Sequence, residues 1–446
     1  MCESMPCIKE KRFKIFTLGC KVNQWESAYF RTALEAAGWR DAGEDESYDV
    51  AIVNTCIVTQ KASHQSRQAI RRFIRNNPNA LIVATGCYAQ VFPEELMKIK
   101  GLDLVVGNTL KHALPSMVMQ ESKGGPPRRV VEPFEGRRPL IPLKVNKFGE
   151  RTRAYLKIQD GCEANCSYCI VPRARGPYRS LELNNVLQML EGLAEQGFKE
   201  VVLTGIHLGK YGVDLKPRLD LVDLLRAIKR RQWPLRIRLS SLEPGEIGDE
   251  LIEMMASEPW LCRHFHIPLQ SGDQNILKAM ARTYTPAEYE SLVHRIKDHI
   301  PLAAIGVDVM VGFPGETEGA FQNTYNMIKN LPVSYLHVFP FSPRTGTRAA
   351  KLRHRVSPDV VKSRAAALRD LGRHKRERFW QECVGKEFEV LVEGQDRDDK
   401  GMVRGITDNY VSVRFPFPDA RPGDLIRLTL KGDHVGWQKG SHVIHP

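Results

Sequence analysis

The sequence predicts an α/β protein in three parts: an N-terminal parallel-sheet α/β domain over residues 10–120, a central partial (β/α)6 barrel over 151–382 and a small antiparallel β-barrel over 383–446, with 121–150 as a linker. Three observations carry this reading. Apolar runs of strand length alternate with runs of helical period over residues 11–120 and again over 151–350. Such alternation builds parallel sheets flanked by helices. Between the two regions, Gly124-Gly125-Pro126-Pro127 and then Pro133, Pro139 and Pro142 interrupt both periods, as linkers do. After residue 385 the pattern changes to short β-rich runs separated by turns, the signature of a small barrel.

The elements follow in order. In the first part, strands are expected at 13–18, 50–53, 81–84 and 102–106, with helices at 25–37 and 64–74. In the second, strands are expected at 154–158, 200–203, 235–240, 264–269, 305–311 and 335–341. Helices at 181–196, 219–230 and 287–297 fall between them. Thr317 reads as a helix cap after the Pro314-Gly315 turn. Residues 356–382 read as one basic helix with Val360, Val361, Ala365 and Leu368 on its apolar side. The tail strands are expected at 388–392, 401–403, 410–415 and 425–430, divided by Glu393-Gly394-Gln395-Asp396 and Arg421-Pro422-Gly423-Asp424.

Composition narrows the function classes. No run of about 18 apolar residues exists, so no membrane span is expected. The first 14 residues lack an apolar core of the secretory kind. Ten cysteines in such a chain argue against a disulfide framework and for metal, cluster or buried-thiol roles. The net charge of +13 points to a polyanionic partner, nucleic acid first; general solubility is the alternative. The charge is uneven. Residues 351–380 hold ten Lys/Arg against three Asp/Glu, and 111–153 hold ten against four, whereas 383–446 hold nine against ten.

The chemistry concentrates in cysteines. Cys162, Cys166 and Cys169 form a Cys-x3-Cys-x2-Cys loop directly after a strand. Three thiolates on a four-iron cluster leave one iron open to bind a small molecule, and thiolates are the usual cluster ligands. A zinc knuckle would want a fourth ligand; the next histidine, His207, lies a whole expected helix away. Buried structural cysteines are the other reading. A second set, Cys20, Cys56 and Cys87, is scattered in sequence, yet each residue follows an expected strand. Parallel strand ends are spatial neighbours, so these thiols converge at the edge where ligands bind. Glycines before Cys20 and Cys87 permit close backbone approach. A cysteine at a strand end is, taken singly, more often just buried. Cys2, Cys7, Cys262 and Cys383 show no partner pattern.

The first loop, with Tyr168 before its third cysteine, resembles the cluster motif of radical S-adenosylmethionine enzymes. The order of a three-cysteine α/β domain, that barrel and a small β-barrel resembles the methylthiotransferase family across nearly the whole chain. Its last part is similar to the family's RNA-binding TRAM domain. The run Thr17-Leu18-Gly19-Cys20-Lys21-Val22-Asn23-Gln24-Trp25-Glu26-Ser27 resembles the branch acting on N6-threonylcarbamoyladenosine in tRNA.

The resemblance implies two 4Fe-4S clusters, one on Cys162, Cys166 and Cys169 and one on Cys20, Cys56 and Cys87, with S-adenosylmethionine as cofactor. The first set would serve reductive cleavage and the second sulfur insertion. The resemblance further implies tRNA as substrate, a reducing donor of flavodoxin or ferredoxin type, a sulfur source and a cytoplasmic location. It places S-adenosylmethionine against Tyr168 and the strand ends carrying Thr204, Gly205, Gln270, Ser271, Asp308 and Phe341. Turn and cap chemistry is the other reading of those residues.

Arg173, Arg175 and Arg179 are expected to face anionic substrate or to form a solvated rim. The near-neutral tail is expected to read RNA shape or to stack bases through Tyr410, Phe415, Phe417 or Trp437. The alternatives are the isopentenyl-adenosine branch, a ribosomal-protein side chain as substrate, and a non-catalytic iron–sulfur RNA-binding regulator.

Overall fold

The structure, a computed structural model, describes residues 10–43, 46–136, 138–145, 148, 151–396, 399 and 401–435. Trp437 and the first nine residues, including Cys2 and Cys7, lie outside them. Two compact units are present. One gathers residues 1–149 with Ile170–Pro177, the other 150–169 with 178–446.

The first unit is built on six strands, all paired in parallel. Their order across the sheet is Arg40–Asp41, Arg12–Thr17, Val50–Thr55, Leu81–Gly86, Leu104–Val106 and Arg128–Val130. Every residue of Val50–Thr55 and of Leu81–Gly86 is buried, as in parallel strands covered on both faces. Alternation sorts their side chains. Val50, Ile52 and Val83 pack with Phe13, Phe30 and Leu34 on one face. Ala51, Val53 and Ile82 pack with Ile70 and Phe73 on the other. The last strand, Arg128–Val130, falls where the sequence reads as linker; it is short and at the sheet edge, where the preceding prolines are tolerated.

The second unit carries six parallel strands in chain order. Arg153–Lys157, Glu200–Thr204 and Arg236–Leu239 form one three-stranded sheet. His264–Gln270, Ala304–Val311 and Tyr335–Pro340 form another. A parallel bridge between Ile237 and Leu261 joins them. Helices alternate with the strands. Thr317 caps its helix as expected, accepting from Ala320 N at 3.2 Å, and the structure adds capping boxes at Thr285 and Asp220.

The long helix Pro358–Cys383 follows. It buries Ala365 and Leu368 and half-buries Val361 against Gly312, but Val360 is 39% exposed, so the apolar stripe begins at Val361. Two of its cations are structural. Arg364 pairs with Glu316 at 2.6 Å, and Lys375 Nζ donates to the carbonyls of Lys329 and Leu331 at 2.7 and 2.6 Å.

The tail is a four-stranded antiparallel sheet ordered Ser412–Pro416, Met402–Thr407, Glu387–Gln395, Leu425–Thr429. Its Phe388, Val390, Val403, Val413 and Phe415 pack on Phe379, Trp380 and Cys383 of the long helix. Phe415 is therefore core and not a stacking platform. Tyr410 stacks on His264 with centroids 4.3 Å apart, which also takes its ring from bases. Phe417 alone of these described aromatics is markedly exposed, at 41%. No helix among the described residues is long and apolar enough to cross a membrane.

Arginines of the strand Arg236–Leu239 fasten the tail. Arg238 donates to the carbonyls of Asp408 (2.9 Å) and Thr407 (3.0 Å). Arg236 donates to those of Glu389 (2.8 Å) and Ile406 (3.0 Å). Both guanidiniums converge on fully buried Glu200, at 2.7 and 2.8 Å. Burial would raise the Glu200 carboxyl, but the arginines overcome it and hold it at about 2, below the ordinary 4.5. A depressed carboxyl stabilises above its unfolded value and loses that contribution as pH falls through the folded one. Glu200→Gln should therefore cost about 3–5 kcal/mol at neutral pH by leaving buried guanidiniums unmatched. Thermal melts should also show a shallower decline between pH about 4.5 and about 2 than the parent. An unchanged neutral-pH melt would contradict the assignment.

Candidate functional site

Cys20 is the cap residue of the helix Lys21–Ala36, at the end of Arg12–Thr17. Cys56 follows Val50–Thr55, and Cys87 opens a short helix immediately after Leu81–Gly86. All three thus leave the same edge of one parallel sheet. The sheet's connections diverge between Arg12–Thr17 and Val50–Thr55, so Cys20 and Cys56 flank the switch point where ligands bind in such folds.

Two glycines make the approach possible. Gly19, at φ +97°, lies so close to Cys56 that a Cβ would sit 3.0 Å from its sulfur. Gly86, at φ +99°, would place a Cβ 2.4 Å from the Thr55 carbonyl oxygen. Asn23 Nδ2 ties the strand ends together through the carbonyls of Leu18 (2.7 Å) and Thr55 (3.1 Å). Burial, then the neighbouring Cys87 and Cys20 thiols, push the Cys56 thiol up to about 12. A metal held by this thiol would have to displace its proton on binding.

Behind the thiols lies a buried ionic group. Arg175 Nη1 donates to Glu26 Oε1 at 2.6 Å and Nη2 to Glu26 Oε2 at 3.2 Å. Arg175 Nε donates to Cys87 Sγ at 3.3 Å. Lys111 pairs with the same glutamate and reaches Asn54 Oδ1 at 3.1 Å. Arg175 is 0% exposed. It is thus neither a rim residue nor a phosphate contact. Arg173 is exposed, over the Phe92 ring, and Arg179 turns to Asp160 at 3.5 Å.

In the second unit, the Cys162–Cys169 loop follows Gln159–Asp160 and is pinned at its middle. Ser167 donates from N to Met280 O (2.9 Å) and from Oγ to Ala279 O (2.7 Å), and accepts at its carbonyl from Ala349 N (2.8 Å). Arg282 Nη1 donates to Cys166 Sγ at 3.2 Å. His207 Nδ1 lies 3.4 Å from Cys162 Sγ, with its Nε2 2.7 Å from Glu246. Burial would lower the His207 imidazole, but Cys162 and Glu246 outweigh it and raise it to about 9. Sequence distance misleads here. Glu200–Thr204 pairs directly beside Arg153–Lys157, so His207 and the cysteine loop leave neighbouring strands.

The expected cofactor contacts are scattered along these strand ends. Tyr168 and Phe341 join one apolar cluster with Met310 and Phe313. Thr204 is buried at the end of its strand, and Gly205 faces Gln159 and Leu208 so closely that a Cβ would stand 2.9 Å from Gln159 Oε1. Gln270 adopts φ +62°. Ser271 Oγ engages Thr324 Oγ1 at 3.2 Å and accepts from Asp273 N at 3.2 Å. Asp308 Oδ1 accepts from His266 at 2.8 Å and His337 at 3.2 Å. Burial would raise that carboxyl, but the two histidines hold it well below the carboxylate range.

The donors suit clusters better than a single ion. Cys20, Cys56, Cys87, Cys162 and Cys166 carry free thiols, and N–H groups already aim at one sulfur in each set. Among the described residues, one trio of histidine, cysteine or carboxylate ligand atoms falls within 4.8 Å, and it is His266, Asp308 and His337. Neither cysteine set is that closely gathered, which leaves room for a multi-iron core.

Comparison with known proteins agrees with this layout. The Radical SAM superfamily profile matches residues 156–328, and that of uncharacterized protein family UPF0004 matches 12–107. The chain is 39% identical to the threonylcarbamoyladenosine tRNA methylthiotransferase MtaB of Aquifex aeolicus, over 89% of this chain and 95% of that protein. It is 38% identical to MtaB of Bacillus subtilis, over 96% and 95%. The tRNA-2-methylthio-N(6)-dimethylallyladenosine synthase of Pelotomaculum thermopropionicum is 34% identical, over 96% and 97%. Among solved structures, the radical S-adenosylmethionine methyltransferase TsrM of Kitasatospora setae shares the fold, at TM-score 0.56 and 18% identity over 76% of this chain and 77% of that one.

Gly86 yields a test of the first-unit site. Gly86→Ala must displace the Thr55 strand end and with it Cys56, so the purified chain should hold about half the parent's iron after reconstitution. Parent-level iron would show that the strand-end geometry does not matter.

Proposed function

The chain belongs to the methylthiotransferase family of radical S-adenosylmethionine enzymes, and we propose that it methylthiolates carbon 2 of N6-threonylcarbamoyladenosine at position 37 of tRNA, next to the anticodon. The observation that carries this reading is near-full-length similarity to four MtaB proteins at 34–39% identity. The dimethylallyladenosine synthases stand at 32–34%.

Cys162, Cys166 and Cys169 would hold one 4Fe-4S cluster, and Cys20, Cys56 and Cys87 the other. When bound, these clusters and S-adenosylmethionine supply one-electron reduction, hydrogen abstraction and sulfur, chemistry that no side chain provides at an unactivated C–H bond.

The chain's own residues do the rest. Arg282 donates to the Cys166 sulfur and His207 lies against that of Cys162, so both side chains orient the cysteine loop that would hold the cluster. Tyr168, Met310 and Phe341 offer an apolar wall for the adenine of S-adenosylmethionine. Thr204, Gly205, Gln270, Ser271 and Asp308 stand at strand ends, where its polar groups would be read. Exposed Lys351, Arg353, Arg355, Lys362 and Arg369 give sequence-independent phosphate contacts to tRNA. A flavodoxin- or ferredoxin-type donor would supply electrons in the cytoplasm, and a separate sulfur source would replenish sulfur.

The test is mass spectrometry of tRNA nucleosides from a host lacking this activity, with and without the chain. The expected product is 2-methylthio-N6-threonylcarbamoyladenosine. Thiomethylated isopentenyl-adenosine in its place would assign the other tRNA branch. With soluble, iron-loaded protein present, no new nucleoside at all would refute tRNA as substrate.

A further inference from the structure

The most heavily invested residue of the first unit is one that no cluster motif includes. Arg175 is fully buried, and its guanidinium is fixed by Glu26 on one side and by Asn23 Oδ1 on another. That leaves the Nε–H pointing at Cys87 Sγ, 3.3 Å away. A second donor converges on the same sulfur: Asn108 Nδ2 stands 3.7 Å from it and is itself held by Ala174 O at 2.6 Å.

The surrounding network reaches all three cysteine segments. Asn23 and Glu26 lie three and six positions after Cys20. Asn54, bonded by Lys111, lies two positions before Cys56. Among the described residues of this unit, the buried charged side chains are Arg175, Lys111 and Glu26, two cations against one carboxylate. Buried charge is costly unless matched. Three thiolates outweigh the charge of an oxidised four-iron, four-sulfide core, so the cluster they hold is an anion, and the excess cation suits it.

We propose that Arg175, assisted by Asn108, sets the reduction potential of the cluster on Cys20, Cys56 and Cys87 by donating hydrogen bonds to the Cys87 sulfur, with Glu26 as the opposing charge. This rests on the reading that those cysteines hold a cluster. Donors and positive charge beside a cluster sulfur favour the more negative, reduced state and so raise the potential. Because Arg175 is buried away from water, the effect is little screened by solvent. Arg175 is a positioning and tuning residue, since it acts on the cluster through Cys87.

The experiment uses the full chain with Cys162, Cys166 and Cys169 all replaced by alanine, so that one cluster site remains. It is reconstituted with iron and sulfide, its iron is counted, and its midpoint potential is read by redox titration followed by electron paramagnetic resonance. Asn108→Ala and Arg175→Lys should titrate at more negative potential than this parent, and Glu26→Gln at more positive potential. Loss of fold alone cannot produce opposite signs. Iron-loaded Asn108→Ala and Arg175→Lys titrating at the parent's midpoint would overturn the proposal. Should Arg175→Lys lose its iron, Asn108→Ala decides alone, because it leaves every charge in place. A parent that takes up no iron would instead overturn the cluster assignment, and the proposal with it.

Discussion

Each strand that precedes Cys20, Cys56 and Cys87 is paired in parallel with a strand that precedes another of them, in the order of the sheet. Parallel pairing aligns carboxyl ends, so residues separated by more than thirty positions emerge together without any loop having to carry them. The same constraint operates in the second unit, where Arg153–Lys157 beside Glu200–Thr204 delivers the cysteine loop and His207 to one edge. Everything else in the two sites elaborates on that alignment: glycines that let backbones close in, asparagines that tie the ends, and cations that face the sulfurs.

Electrostatics then separates what is structural from what is chemical. Arg236 and Arg238 spend their guanidiniums on Glu200 and on the carbonyls of the tail sheet. Arg364 and Lys375 do similar work along the long helix. Arg175 and Arg282 differ in that one N–H of each ends on a thiol sulfur. A guanidinium is always charged and presents its donors in a rigid fork. It can therefore hold a carboxylate and address a sulfur at the same time, which the flexible ammonium of lysine does less well.

Much of this was legible in the sequence, because it rests on periodicity and on cysteine position. Strand–helix alternation exposed the parallel sheets of both units, and the place of Cys20, Cys56 and Cys87 just after strands exposed the edge those three share. What stayed hidden depends on partners remote in sequence. Arg175 reads as one of three similar arginines after the cysteine loop, and only the fold shows that it is buried on Glu26 while Arg173 remains exposed. Tyr410 and Phe415 read as surface aromatics in a near-neutral tail, yet one stacks on His264 and the other fills the core beneath the long helix. The pairing of His266 and His337 on Asp308 needs three strands in register, which no local pattern reveals.

The central claim is a division of labour between two three-thiol sites. Its most direct test compares Cys166→Ala with Cys87→Ala, measuring 5′-deoxyadenosine and thiomethylated nucleoside with reductant, S-adenosylmethionine and tRNA present. The account predicts that Cys166→Ala yields neither, whereas Cys87→Ala still yields 5′-deoxyadenosine and leaves the tRNA without sulfur. Equal 5′-deoxyadenosine from both variants would contradict it.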